Sequence, residues 1–321
     1  MKKVLILVND PGKEASPDVQ DVLMQAGAVE NVLREMDAEV KRFSVSLNLE
    51  ALDSLLQKDP PDLVFNLVES LAGRGALLHL VPALLEVRYI PFTGSGSYGL
   101  YLTTHKVRAK RIMRQHGIHT PDWISLPADT FPEKGKRYIM KPVSEDGSAG
   151  IHDASLVQAG ELTREILSGS TTPAYFLEEY LPGREFNLSV IAGPEGPQVL
   201  PAAEMQYLDY PADKPRILGY AAKWEENSFE YRHTVRRFEM AETDRVLVRE
   251  MERISLQCWH LFEARGYIRV DFRTDAEGNP CVIEVNANPC ISPDAGFPAA
   301  CLHAGIGYRE MILRILNDLT V

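Results

Sequence analysis

The chain has 321 residues, 45% of them hydrophobic and 25% charged, enough apolar length to bury a large core split over two or three domains, which excludes a disordered or collagen-like class. Its formal net charge of -11 counts against a nucleic-acid partner, because phosphate contacts need clustered Lys and Arg. No apolar run approaches the ~20 residues that span a bilayer, and Cys258, Cys281, Cys290 and Cys301 lack metal-type spacing, so the expectation is a cytoplasmic protein with reduced thiols and no membrane partner.

The opening MKKVLILV has a short apolar run, Val4 to Val8, cut off by Asn9, Asp10 and Pro11; it reads as a buried strand rather than a signal peptide. An amphipathic helix from Val19 to Met36 follows, then a strand in DLVFNLV and a helix through Leu77 to Leu85. Strands alternating with helices predict a parallel sheet flanked by helices, an N-terminal α/β domain over residues 1–104. A helix from Thr104 to His116 is expected next, with Thr103 or Thr104 as its N-cap and Gly117 as its stop. A second block, 105–193, contains strand-like YIMKPV, the loop EDGSAGI, a helix near Ala159 to Ser168 and strand-like AYFLEEYL. The last block, 194–321, holds a polar stretch from Tyr207 to Arg237, a helix from Ala241 to Arg265, a hairpin, and a closing helix from Pro298 to Leu319. The fold class is α/β, α+β in part.

The hairpin, YIRVDFRTDAEGNPCVIEVNANP over 267–289, carries the most chemistry. Asp275, Glu277, Gly278 and Asn279 form its turn. Alternation puts Ile268, Val270 and Phe272 on one face of the first strand and Arg269, Asp271 and Arg273 on the other. On the second strand Cys281, Ile283 and Val285 are expected on the apolar face, with Glu284 and Asn286 opposite. Asp271, Glu284 and Asn286 then converge beside Arg269 as three hard oxygen donors, which suit Mg²⁺. A merely solvated face would favour Lys and Thr and would not need Asn286, Ala287, Asn288 and Pro289 to end the strand. Upstream, Lys141 precedes a loop in which Gly147, Ser148, Ala149 and Gly150 allow backbone N–H groups to approach phosphate oxygens.

In order and spacing, DLVFNLVESLAG, IPFTGS, the Lys106 helix, MKPVSEDGSAGI, LEEYLPGREF, the hairpin and GFPAACLHAGIGY resemble the D-alanine-D-alanine ligase branch of the ATP-grasp superfamily. The resemblance implies a three-domain ATP-grasp architecture, with an N-terminal parallel-sheet domain and two α+β lobes enclosing ATP. It assigns Asp271, Glu284 and Asn286 to two Mg²⁺ ions, with Mn²⁺ as a substitute, and Arg269 to the charge that develops on the transferred phosphoryl group and on the tetrahedral intermediate. Lys106 and Lys141 would reach the phosphates and the base region, Ser148 would sit in the phosphate loop, Glu178, Glu179 and Leu181 would contact adenine and hinge, and Glu185 the ribose. Glu179 stands where several ligases carry Lys. Lys223, in a polar segment expected to form a lid, would contact the γ-phosphate. Relatives are commonly homodimers.

The amino-acid site departs from the family pattern. NDPGKEASPD offers only Glu14 near the family's ammonium-binding glutamate, Trp224 replaces a tyrosine, and Glu69 replaces a histidine. Asn288, Pro289 and Cys290 stand where ligases typically end in Pro-Gly, and Ala295 with Gly296 where a Ser-Leu pair holds the acceptor carboxylate. Glu69 and Arg74 are candidate readers of an amine and a carboxylate. The expected activity is ATP-dependent joining of a carboxylate, on an amino acid, to an amine through an acyl phosphate, with release of ADP and phosphate. D-alanine-D-alanine ligase proper and a small-molecule kinase on the same fold are the alternatives within the fold; a catalytically silent nucleotide-binding protein is a third.

Overall fold

The run KVLILVN is apolar on both faces, which suits a strand covered from both sides. In the computed structural model, which describes residues 2–10, 17–128, 131–169 and 174–321, it is β1 (Lys3–Asn9) at the centre of a parallel sheet. Helix α1 (Pro17–Glu35), β2 (Glu39–Val45), α2 (Leu49–Lys58), β3 (Leu63–Asn66), α3 (Leu80–Val87) and α4 (Ser97–Thr104) complete this unit. The order is β2-β1-β3, with both pairings parallel as the alternation required. Val4, Ile6 and Val8 pack on Val22, Ala26 and Val29 of α1, while Leu5 and Leu7 face Leu52 and Leu56 of α2 and Val81 and Leu85 of α3.

Helix α5 (Lys106–Gln115) is capped by His105, whose ring accepts from the Arg108 N–H. Thr103 and Thr104, the expected caps, instead close α4; the two helices abut with no loop, so the cap moves to the one residue between them. The second unit adds β4 (Trp123–Ser125), β5 (Arg137–Pro142), β6 (Leu156–Gln158), α6 (Arg164–Leu167) and β7 (Tyr175–Glu179). Its four strands are antiparallel in the order β4-β7-β5-β6. The helix expected near 159–168 is only a 3-10 turn, Ala159–Glu161, and α6, because Leu162 between them is extended at ψ 119.

The third unit contains β8 (Glu185–Ile191), β9 (Gln198–Val199), β10 (Ala203–Tyr207), α7 (Tyr220–Trp224), α8 (Phe229–His233), β11 (Thr234–Arg237), α9 (Arg245–Leu261), β12 (Tyr267–Thr274), β13 (Pro280–Asn286), α10 (Gly296–His303) and α11 (Tyr308–Leu316). Its main sheet runs β11-β10-β8-β12-β13, all antiparallel. Met251, Ile254 and Cys258 of α9 pack on Leu188, Val190, Ile268 and Val270. The passage from second to third sheet falls at Pro182 and Gly183, ahead of residue 193, since β8 already pairs with β12. Gly183 permits it: a Cβ there would lie 2.3 Å from the Thr274 carbonyl oxygen. The closing helix is two, α10 and α11, separated where Gly305 takes φ 78. Phe297, Met311 and Ile312 of this pair join the core beneath β1, fixing the first unit to the third. Among the described residues no helix is long and apolar enough to cross a membrane.

Candidate active site

Strand β12 is flanked on both sides, so its polar face is held by two ladders. Asp271 lies opposite Glu284 on β13 and Asn187 on β8, and Arg269 lies opposite Asn286 and Ser189. A bulge between Asp271 and Phe272 shifts the β13 register. One extra residue breaks the alternation, so Val282 and Val285 enter the core while Ile283, expected there, lines the cleft together with Glu284. Cys281 faces away from that core too, opposite Arg273.

The carboxylates are already neutralised. Arg269 donates from Nε to Asp271 Oδ1 at 2.7 Å and from Nη2 to Oδ2 at 2.9 Å, and Asn187 Nδ2 adds a bond to Oδ1 at 2.7 Å. Burial works against the Arg269 charge, but Asp271 outweighs it and the pKa rises. Lys106 Nζ lies 2.7 Å from Glu284 Oε1 and 3.3 Å from Asp146 Oδ1, and donates to the Glu145 carbonyl at 2.5 Å. Burial would raise the Glu284 pKa; Lys106 reverses the effect and brings it to about 2. Lys223 has no ion pair or hydrogen bond among the described residues, and burial followed by the Arg269 charge lowers its pKa. An unpaired, desolvated ammonium beside Arg269 suits an anionic ligand.

A cleft opens between the second and third sheets, lined by Lys141, Ser148, Glu178, Glu179, Leu181, Glu185, Lys223, Asp271 and Glu284. These are residues singled out from the sequence. Its apolar walls, Ile139, Ile151, Ile217, Leu218 and Ile283, were not, because isolated aliphatics carry no motif. Glu178 is buried between Lys141 and Lys110, the latter 2.5 Å away. Glu185 accepts from the Tyr207 hydroxyl at 2.6 Å, and Glu179 from Lys136 at 3.2 Å. Ser148, at φ 62, donates to the Leu218 carbonyl at 2.7 Å, and Trp224 Nε1 donates to the Gly147 carbonyl at 2.9 Å. The loop around Ser148 and the segment bearing Lys223 are thus clasped over the cleft.

A metal ion fits the donor set without being completed by it. Among the described residues no group of three His, Cys, Asp or Glu could hold an ion. Asp271 and Glu284 supply two carboxylates, and Asn286 Oδ1, which accepts from the Asn288 N–H at 2.9 Å, has a second lone pair. Oxygens of a bound phosphate would supply the rest, the mixed set that Mg²⁺ takes.

The remaining candidates separate. The Glu69 amide donates to Asn9 Oδ1 at 2.7 Å, and its carboxylate accepts from Gln25 at 3.1 Å. Gln25 also reaches Asp21 at 3.0 Å, and the Cys290 thiol donates to Asp21 at 2.9 Å. Burial, then Asp21, pushes that thiol well above the usual range, which keeps it protonated and inert. Arg74 lies near Glu145 instead, whose carboxylate accepts from the Gly75 N–H at 3.1 Å. Ala295 and Gly296 open α10, where a Cβ on Gly296 would meet Arg236 Nη2 at 3.2 Å. Glu14 lies outside the described residues. Arg273, placed on the polar face of the hairpin by alternation but given no role, also lines the cleft, and Lys110, Asn187 and Arg236 were missed. Lys110 alone had a signal, its four-residue spacing from Lys106 on one helix face.

Residues 112–317 match the family model of the D-ala D-ala ligase C-terminus. A D-alanine--D-alanine ligase of Nitrosococcus oceani is 31% identical over 254 residues, covering 77% of this chain and 74% of that protein. One from Aquifex aeolicus is 27% identical over 321 residues, covering 98% and 100%. Among solved structures, D-alanine--D-alanine ligase from Bacillus anthracis complexed with ATP superposes with a TM-score of 0.73 at 22% identity, over 99% of this chain and 97% of that one.

Proposed function

The chain belongs to the D-alanine-D-alanine ligase family of ATP-grasp enzymes and is an ATP-dependent carboxylate–amine ligase using a divalent metal, and from that premise we propose which of its residues carry the reaction and that its substrates are not two D-alanines. The observation that carries the site is Asp271 facing Glu284 across β12 and β13 at the cleft, with Arg269 bonded to Asp271 beside it.

Asp271, Glu284 and Asn286 hold two Mg²⁺ ions, or Mn²⁺ in their place. A metal bound there with ATP would neutralise charge on the terminal phosphates. Glu178, Glu179 and Leu181 receive the adenine and Glu185 the ribose. Lys106 and Lys141 turn from Glu284 and Glu178 to phosphate oxygens, and Lys223 approaches the γ-phosphate. The substrate carboxylate attacks the γ-phosphorus in line and ADP leaves; the amine then attacks the acyl carbon and phosphate leaves. Arg269 stabilises the charge that builds up in both steps. The Trp224 clasp excludes water from the acyl phosphate.

The altered residues support the substrate reading. Glu69 and its neighbours Asp21 and Gln25 present acid and amide groups where relatives carry a histidine, which suits a cationic or amine-bearing substrate; Arg74 reads a carboxylate. Ala295 and Gly296 leave Arg236 against the start of α10, available to an acceptor carboxylate. A phosphate-release screen over pairs of amino acids and amines, with Mg²⁺ and ATP, tests the proposal. Turnover that needs both a carboxylate and an amine is expected. Efficient ADP release with D-alanine alone would overturn the substrate reading, and amine-independent turnover to a stable phosphorylated product would make the protein a kinase.

A further inference from the structure

We propose that Lys110 is a positioning residue that frees Lys141 for the nucleotide, an inference that rests on the reading of Lys141 as a phosphate contact. Glu178 is 2% exposed and shares its two oxygens, Oε1 with Lys141 and Oε2 with Lys110 at 2.5 Å. Lys141 and Glu178 line the cleft, and Lys110 does not. Lys110 is 1% exposed and donates to Thr120 Oγ1 at 2.7 Å, a bond that anchors its ammonium behind the cleft wall.

Two ammonium groups on one carboxylate leave a surplus positive charge, and only Lys141 faces the space where an anion enters. Without Lys110, Glu178 and Lys141 close into a neutral pair. Moving Lys141 onto a phosphate would then strand a buried carboxylate, the costly half of a broken ion pair. With Lys110 in place the carboxylate keeps a partner whichever way Lys141 turns. Helix α5 supplies this arrangement by placing Lys106 and Lys110 one turn apart, the first against Glu284 and the second against Glu178.

The test is calorimetric binding of ATP to the full chain for the parent, Lys141→Met, Lys110→Met, Glu178→Gln and Lys110→Met/Glu178→Gln. Loss of Lys141 or of Lys110 is expected to weaken ATP about tenfold or more, as for one member of a buried charged set. In the Glu178→Gln background no carboxylate holds Lys141, so removing Lys110 there is expected to leave affinity unchanged, a comparison that survives even if Lys110→Met alone does not fold. Continued weakening in that background overturns the proposal, because it makes Lys110 a packing residue. Unchanged affinity in folded Lys110→Met beside a weakened Lys141→Met overturns it too and spares the phosphate role of Lys141. Unchanged affinity in Lys141→Met overturns both.

Discussion

Lys106 on α5 reaches across to the third sheet and sets its ammonium 2.7 Å from Glu284 Oε1. The contact joins two units and occupies a carboxylate that a metal ion would otherwise claim. Glu284 ionises at about 2 in the fold against about 4.3 unfolded. A depressed carboxylate stabilises fully above its unfolded pKa and loses that contribution as pH falls toward the folded one. Replacing Lys106 by Met should therefore lower Tm most near neutrality, with the gap to the parent closing from about pH 4.5 to 2. Parallel Tm–pH curves would show that the pair contributes nothing.

Arg269 is held by two bonds to Asp271, so its position is fixed before ligands arrive. A preorganised donor acts on developing charge more than on ground-state binding. Arg269→Met should reduce kcat by roughly 10²–10³, as for a lost transition-state donor, with ATP affinity changed far less. A loss confined to affinity would move Arg269 from the chemical step to binding.

At Gly183 the obstacle is backbone: a Cβ would fall 2.1 Å from Thr274 Oγ1 and 2.3 Å from its carbonyl oxygen. The hydroxyl can rotate away, but the carbonyl sits at the end of β12. Gly183→Ala should destabilise by about 1–3 kcal/mol, the usual cost of overpacking, read as a lower denaturation midpoint. Unchanged stability would mean the passage between the two sheets yields easily.

The order of units and the hairpin were legible because each rests on local chemistry: strands alternating with helices, alternation around Asp271, and small residues around Ser148 after Lys141 at a strand end; Glu178, Glu179, Leu181, Glu185 and Lys223 were reached only through the family resemblance. What was hidden depends on register or on distant contact. Ile283 entered the cleft through a bulge that alternation alone does not announce. Asn187 reaches Asp271 only because β8 pairs with β12. Thr103 and Thr104 had the right chemistry for a cap, and lost the position to His105 because α4 runs to the very start of α5. Asp21 and Gln25 carry no local signal, because what they do depends on Cys290 and Glu69, distant in sequence, lying against them.

Lys223 gives the pH dependence its alkaline side. Burial and the Arg269 charge lower its pKa, so the ammonium loses its proton below the ordinary lysine range of about 10.4. Activity should fall as pH rises through that lowered value, while the same group adds stability there, since the unfolded chain binds the extra proton. Lys223→Arg keeps the charge and should move the alkaline limb upward. An unmoved limb assigns it to another group.

Trp224 makes a prediction about coupling rather than speed. Its indole N–H donates to the Gly147 carbonyl at 2.9 Å, joining α7 to the loop in which Ser148 also holds Leu218 at 2.7 Å. Phenylalanine would keep much of the packing and lose the bond, about 1 kcal/mol, so the clasp would open roughly fivefold more often by the same free-energy conversion. Each opening during the life of the acyl phosphate admits water, which returns the starting acid and wastes the nucleotide. In Trp224→Phe the ratio of ADP formed to ligated product should therefore rise above that of the parent, and rise further when the amine is limiting, because a longer-lived intermediate is exposed to more openings. ADP and product are measured in the same reaction. A ratio that stays at the parental value at every amine concentration would show that the clasp does not protect the intermediate.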